Sequence, residues 1–320
     1  MRWKNSMPNI HILDQQLVNK IAAGEVVERP ASAVKELVEN SLDAGATDIR
    51  IDIENGGLDL IRIIDNGRGM DAADVKLSVR RYATSKIKNI QDLQSIATFG
   101  FRGEALAAIS SVSNFRLLSR PLDAVSATEL LVEGGTPVIR VAGGAPGTTV
   151  EIRGLFNNVP ARKKFLKVAS TEFRHIAQVI TQVALMNPHV SWTLTHNGKD
   201  VLRLNAVTDW KDRVAVVLGK EISADMLDLN HQRAALVVSG FLSHPAKAKT
   251  GRPEQFIFVN RRPVQYFVLA KAVKQGYSHH IEPNRYPAFV LHISLPADLV
   301  DVNVHPRKSE VKFADPSGIF

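Results

Sequence analysis

"VKELVENSLDAGATDIRIDI", residues 34–53, changes period halfway along. Up to Asp43 the apolar residues Val34, Leu37, Val38 and Leu42 recur at intervals of three, one and four, the spacing of one helix face. After Ala46 the isoleucines alternate with polar residues, the spacing of a strand with one buried face. A helix over 32–44 therefore runs into a strand over 46–54. At 100° per residue Glu36, Asn40 and Asp43 fall within an arc of about 60°, roughly opposite the apolar cluster. Taken alone, that arc suits an amphipathic helix with a wet side as well as a ligand-holding face.

Working outward, the same periodicities predict helices over 15–25, 72–81, 103–112 and 171–186. Strands are expected in LDLIRIID (58–65), FRLLSR (115–120), TELLVEG (128–134), PVIRVAG (137–143) and GTTVEIRGLF (147–156). WTLTHNGKDVLRLN (192–205) alternates on both sides of Asn197-Gly198, two residues that tolerate the positive φ of a tight hairpin. A first α/β domain over 1–210 closes there, followed by a polar joint near 206–230. A second, smaller α/β domain over 211–320 is expected from AALVVSGFL (234–242), QFIFVN (255–260), a helix over 265–276, FVLHISLP (289–296) and DVNVHP (301–306), arranged as a β-α-β unit. Gly318-Ile319-Phe320 form no capping element, so a further C-terminal portion is expected.

With 45% hydrophobic and 22% charged residues, the 320-residue chain can bury one or two ordinary cores and is not of disordered type. The absence of cysteine excludes disulfides, thiolate zinc sites and cysteine nucleophiles, and fits a reducing compartment. The leader lacks an apolar core of signal-peptide length, and no run reaches the ~18 apolar residues of a membrane span. A soluble, cytoplasmic protein is expected. The net charge of +8 and pI near 9.7 favour an anionic partner, nucleic acid or nucleotide, although a lysine-coated surface gives the same balance. Two basic runs stand out: +4 over 162–174, with Arg162, Lys163 and Lys164, and +6 over 247–274, with Arg261 and Arg262. Each reads as a solvated face or as a surface for a phosphate backbone.

Further motifs bear on the helix face. The strand LDLIRII ends in Asp65-Asn66-Gly67-Arg68-Gly69-Met70, a lone acid followed by a turn with two glycines. Ala83-Thr84-Ser85-Lys86 puts short hydroxyls beside an ammonium, and Gly100-Phe101-Arg102-Gly103-Glu104-Ala105-Leu106 is a glycine-flanked loop opening a helix. Hydroxyls, backbone N–H groups and a lysine suit a polyphosphate. Neither a P-loop nor a dinucleotide fingerprint is present to account for them. The ten histidines show no ligand spacing.

In this order the motifs resemble the N-terminal half of the MutL family of DNA mismatch-repair proteins, within the GHKL ATPases. The resemblance covers AGEVVERPASAVKELVENSLDAGA (23–46), DNGRGM (65–70), ATSK (83–86), GFRGEALAAISSV (100–112), GTTVEIRGLF (147–156), PARKKFL (160–166) and DVNVHPRKSEVKF (301–313). It implies a Bergerat-type α/β sandwich followed by a transducer-like second domain. It implies Glu36 as the general base for ATP hydrolysis and Asn40 as a Mg²⁺ ligand, with Asp43 a structural acid beside them. Asp65 would accept from the adenine amino group, Gly67 and Gly69 would admit the base and ribose, and Thr149 would support the adenine end. Gly100 to Leu106 would close over the triphosphate, flanked by Thr84, Ser85 and Lys86, and Lys308 would reach the γ-phosphate.

The family further implies an ATP-switched matchmaker between a mismatch-recognition protein and a downstream nuclease or helicase. It would form a homodimer on binding ATP, contact DNA through phosphates and associate with the bacterial nucleoid. The rivals are another GHKL enzyme, such as a topoisomerase subunit, and a DNA-binding scaffold that no longer hydrolyses ATP. Asn157 and Val159 stand where the family pattern expects tyrosine and threonine, and RWKNS precedes the family start near Met7.

Overall fold

The computed structural model describes residues 14, 18, 23–24, 26–86, 103–134, 136–251, 254–264, 267–296, 299–301 and 312–313. The chain divides into two compact units, 1–179 with 191–203 and 180–190 with 204–320.

The first unit is built outward from the opening stretch. Helix α1 (Pro30–Asp43) starts on a proline, whose fixed φ suits the first helical position. It stops at Gly45, which has φ +76°. There the Gly45 N–H bonds Leu42 O at 2.9 Å and the Ala46 N–H bonds Ser41 O at 3.1 Å, a Schellman cap that turns the chain into β1 (Asp48–Glu54). β1 pairs antiparallel with β2 (Leu60–Asp65). After α2 (Ala72–Ser78) and α3 (Ala105–Ser111) come β3 (Asn114–Arg120), β4 (Ala127–Glu133), β5 (Thr136–Ala142) and β6 (Gly147–Arg153). A short α4 (Pro160–Lys163) precedes the long α5 (Ala169–Met186), and β7 (Ser191–His196) and β8 (Lys199–Leu204) close the unit. Asn197 and Gly198 both have positive φ, as the two-residue hairpin requires.

The strands form one sheet in the order β5-β4-β3-β6-β2-β1-β7-β8. Only the β1–β7 pair is parallel among the registers described for it. One face is apolar: Ile49, Ile51, Ile61, Ile63, Phe115, Leu117, Val150, Ile152, Trp192 and Leu194 are buried, and α1 packs against β2 on this side. The other face carries a row of cross-strand neighbours, Arg116–Glu151–Arg62–Asp52–Thr195, with charges alternating in sign across four strands. Arg116 Nη1 donates to Glu151 Oε1 at 2.8 Å and Arg62 Nε lies 3.4 Å from the same oxygen. Thr195 Oγ1 donates to Asp52 Oδ1 at 2.9 Å. Alternating charges satisfy one another along this row.

The second unit corrects the expected joint near 206–230. That stretch forms α6 (Trp210–Leu218), α7 (Lys220–Ser223) and the start of β9 (Leu227–Arg233). The polar composition misled because Arg213 is only 1% exposed. Its guanidinium donates to the carbonyls of Pro188, Val190 and Asn205 at 2.8–2.9 Å. β9, β10 (Leu236–Leu242), β11 (Gln255–Val259), β12 (Arg262–Pro263) and β13 (Phe289–Ser294) form a sheet in the order β12-β11-β13-β10-β9. β11 and β13 are parallel and joined through α8 (Phe267–Tyr277), the expected β-α-β unit. Ile257, Val259, Leu291 and Ile293 pack with Leu269 of α8, while Phe258, Val290 and Phe241 pack with Val214 and Leu218 of α6 and Ile222 of α7. β14 (Val300–Asp301) and β15 (Lys312–Phe313) form a separate pair. The helix expected over 15–25 and the stretch DVNVHP lie mostly outside the described residues. Among the described residues no helix is long and apolar enough to cross a membrane.

Candidate functional site

At the carboxyl end of β2 the apolar face of the large sheet turns polar. Cross-strand pairing aligns Asp65 with Thr148, Thr148 with Ser119 and Ser119 with Thr128, where the rows behind are isoleucine, valine and leucine. Asp65 is 8% exposed and Ser119 1%. The Ser119 hydroxyl accepts from the Met70 N–H at 2.8 Å and lies 2.8 Å from Thr148 Oγ1, tying the turn after β2 to β3 and β6. The Asp65 carboxylate accepts from Ser41 Oγ of α1 at 2.8 Å, from the Gly67 N–H at 2.9 Å and from the Thr148 N–H. Burial raises its pKa, and these hydrogen bonds offset the shift only in part. A carboxylate offers about four lone-pair sites, so the three donors among the described residues leave capacity for one more.

The glycines of the turn fit around this acid. A Cβ on Gly67 would lie 2.9 Å from Ala44 Cβ and 3.0 Å from Asp65 Oδ1. Gly69 has φ +69°, and a Cβ there would come within 2.3 Å of Arg120 O. Their missing side chains thus already serve the packing of the turn. Asn66 belongs to the same joint: its Oδ1 accepts from the N–H groups of Thr47 and Asp48 at 2.8 and 2.9 Å.

Glu36, Asn40 and Asp43 line α1 as a half-buried strip, less wet than a solvent face. Lys86 answers two of them: its ammonium donates to Asn40 Oδ1 at 2.8 Å and pairs with Asp43 Oδ2 at 2.6 Å. Its own N–H bonds Thr84 Oγ1 at 3.1 Å, while Ser85 is exposed. Among the described residues no hydrogen bond or ion pair engages Glu36. The segment before Lys86 is anchored to the start of α3. Tyr82 N–H bonds Gly103 O at 3.0 Å, and Arg81 Nη2 lies 3.3 Å from Glu104 Oε1. Gly103 has φ +62° and no room for a Cβ against Ala83 O. Ala105 and Leu106 begin α3 and are half-buried. Gly100, Phe101, Arg102 and Lys308 lie outside the described residues.

Three sequence expectations change. Thr149 pairs with Ile64 and Leu118, on the sheet face opposite Asp65; the threonine beside the acid is Thr148. Arg162 is half-buried, with Nη1 donating to Gly24 O at 2.7 Å, so its guanidinium is committed to the fold. Arg261 is likewise engaged, donating to Met186 O at 3.0 Å. Lys163 and Lys164 are exposed in the first unit and Arg262 is half-buried in the second. Phe165 is 80% exposed between Lys164 and Lys167. Asn157, the departure from the family pattern, accepts from Lys163 Nζ at 2.8 Å.

The donor set fits a magnesium nucleotide. Asn40 offers an amide oxygen, which a hard cation takes, and Asp65 retains acceptor capacity for an amino group. Among the described residues no group of three or more acids and histidines could hold a metal alone. A metal here needs phosphate and water oxygens to complete its shell. Ser41, Ser119 and Thr148 were not singled out in the sequence; their only signal was a short hydroxyl in an otherwise apolar pattern.

Residues 28–134 match the family model described as histidine kinase-, DNA gyrase B- and HSP90-like ATPase, and residues 214–320 match that of the DNA mismatch repair protein C-terminal domain. The DNA mismatch repair protein MutL of Actinobacillus succinogenes is 50% identical over 309 residues, covering 95% of this chain and 48% of that protein. That of Anaeromyxobacter dehalogenans is 46% identical over 319 residues, covering 98% and 52%. The chain thus spans about half the length of the curated relatives it matches. The Aquifex aeolicus MutL ATPase domain complexed with ADP superposes with a TM-score of 0.67 at 33% identity, over 85% of this chain and 93% of that one. The N-terminal domain of a DNA repair protein superposes with a TM-score of 0.76 at 27% identity, over 92% of each chain.

Proposed function

We propose, for a chain that belongs to the MutL family of DNA mismatch-repair proteins and carries its GHKL-type ATPase fold, a magnesium-dependent ATPase acting as a switch in mismatch repair. The observation that carries this reading is the polar row at the end of β2, where a buried Asp65 with one acceptor position to spare interrupts an apolar sheet face.

Asp65 accepts from the adenine amino group, with Ser41 Oγ and the Thr148 N–H fixing its carboxylate directly and Ser119 tying Thr148 and Met70 together beside it. Asn40 is the protein's magnesium ligand, and the metal, when bound, neutralises charge on the phosphates. Glu36, held by no described partner, is the general base that orients and deprotonates the attacking water, a role that typically supplies about 10²- to 10⁴-fold. Thr84, Ser85, Lys86 and the stretch Gly103–Leu106 belong to the phosphate end. The resemblance adds Gly100, Phe101, Arg102 and Lys308 to that end.

Nucleotide at ~100 times its dissociation constant stabilises the bound state by only ~2.7 kcal/mol. That suffices to order a loop or favour an ATP-bound homodimer, which suits a slowly hydrolysing matchmaker between a mismatch-recognition protein and a nuclease or helicase. Lys163, Lys164 and Arg262 contact DNA phosphates without reading sequence. A cytoplasmic, nucleoid-associated place follows from that role.

The test is equilibrium ATP binding and phosphate release on one preparation. Glu36→Ala is expected to keep ATP affinity while turnover falls at least 10²-fold. Equal loss of both would place Glu36 in structure, and binding without turnover by the unaltered chain would favour the non-hydrolysing scaffold.

A further inference from the structure

Asn40 Oδ1, the atom assigned above to magnesium, is already engaged in this chain. The Lys86 ammonium donates to it at 2.8 Å and pairs with Asp43 Oδ2 at 2.6 Å. Asn40 and Asp43 stand one helical turn apart on α1, so a single ammonium reaches both. This pairing is sheltered: the side chains of Lys86 and Asp43 are 16% and 9% exposed. Charge-assisted hydrogen bonds removed from water are among the stronger ones a protein makes. An ammonium and a divalent cation on the same amide oxygen repel each other, and magnesium demands a near-octahedral shell that a neighbouring ammonium obstructs.

We propose that Lys86 is a built-in counter-cation of the metal position. In this arrangement it holds the Asn40 carboxamide in place, and it must leave Asn40 before magnesium can bind there. Asp43 is then a positioning residue: its carboxylate keeps the displaced ammonium tethered beside the phosphates. This rests on the nucleotide-site reading above. Its consequence is that the magnesium requirement for nucleotide binding includes the work of displacing Lys86, so the site stays closed to the metal until nucleotide phosphates offer the ammonium another partner.

The experiment measures binding of a non-hydrolysable ATP analogue by the full chain across a series of free magnesium concentrations. Lys86→Met removes the competing cation. The magnesium concentration at half-maximal binding should fall by on the order of tenfold, the equivalent of one charge-assisted hydrogen bond, even though metal-free binding of the analogue weakens. Lys86→Arg keeps the charge and should keep the wild-type midpoint, which a merely structural role for the side chain would not require. If Lys86→Met does not fold, Lys86→Gln, neutral and still able to donate to Asp43, carries the same expectation. Equal midpoints in the wild type and the neutral variant overturn this inference and leave the nucleotide site standing. A wild-type chain that binds no analogue at any magnesium concentration overturns both.

Discussion

Replacing Asp65 with asparagine separates what this acid does for the fold from what it does for a ligand. Burial raises the Asp65 pKa. A carboxyl group with a folded pKa above its unfolded value holds its proton more tightly in the folded state. Stability is then greatest in acid, falls as pH rises between the two values, and carries the full cost of the buried charge at neutral pH. Asparagine has no charge to bury and can keep at least two of the three hydrogen bonds. Its Oδ1 accepts from the Gly67 N–H as now, and its Nδ2 can donate to Ser41 Oγ, because that hydroxyl has a second acceptor in Leu37 O at 3.2 Å. The variant should therefore melt no lower than the wild type at neutral pH. The carboxylate as acceptor for the adenine amino group is lost, however, at about 1.5–3 kcal/mol, a factor of roughly 10 to 150 in ATP affinity. Guanine presents an acceptor where adenine presents a donor, so the ATP preference over GTP should fall as well. Nucleotide titrations and thermal melts from one preparation decide. An unchanged ATP/GTP ratio refutes the assignment, and a variant that loses affinity in step with several degrees of melting temperature refutes the packing argument.

The strand register makes a sharper distinction between neighbours: Thr148→Val should weaken ATP binding by about 1 kcal/mol, while Thr149→Val, on the opposite face, should leave it unchanged; titrations of the two variants check this. On the charged face, Glu129 is 4% exposed, and hydrogen bonds from Arg140 and Arg116 hold its pKa below the ordinary glutamate value. That stabilisation is present above the unfolded pKa and is lost as pH falls through the folded one. Glu129→Gln should cost about 1–3 kcal/mol at neutral pH, with an exposed Arg140 and a half-buried Arg116 keeping it from the upper end, and the difference from wild type should shrink in acid melts. For DNA, Lys163→Glu with Arg262→Glu should flatten the dependence of log affinity on log salt by about 0.9 for each phosphate no longer neutralised, and leave DNA-free ATP turnover unchanged. Phe165→Ala should weaken single-strand binding by ~1–3 kcal/mol if a base stacks on it, as direct titration would show.

Periodicity is a local property, and what it governs was legible in the sequence. The change of period across residues 34–53 predicted α1 and β1, and Asn197-Gly198 predicted the β7–β8 hairpin, because each depends on backbone preferences a few residues long. The motif order was likewise enough to identify the family and to single out Glu36, Asn40 and Asp65. Partnership across the fold was not legible. Lys86 meets Asn40 from 46 positions away and Ser41 meets Asp65 from 24, pairings that no spacing rule reports. Thr148 and Thr149 are equivalent to any propensity, and only the pairing of β6 with β2 decides which shares a face with Asp65. Arg162 counted as part of a basic run and Arg213 fell in an expected polar joint, until packing gave their guanidinium groups backbone carbonyls to bind. A sequence specifies which groups can donate and accept; burial decides which of them must find partners inside the protein, because an unmet polar group costs far more there than in water.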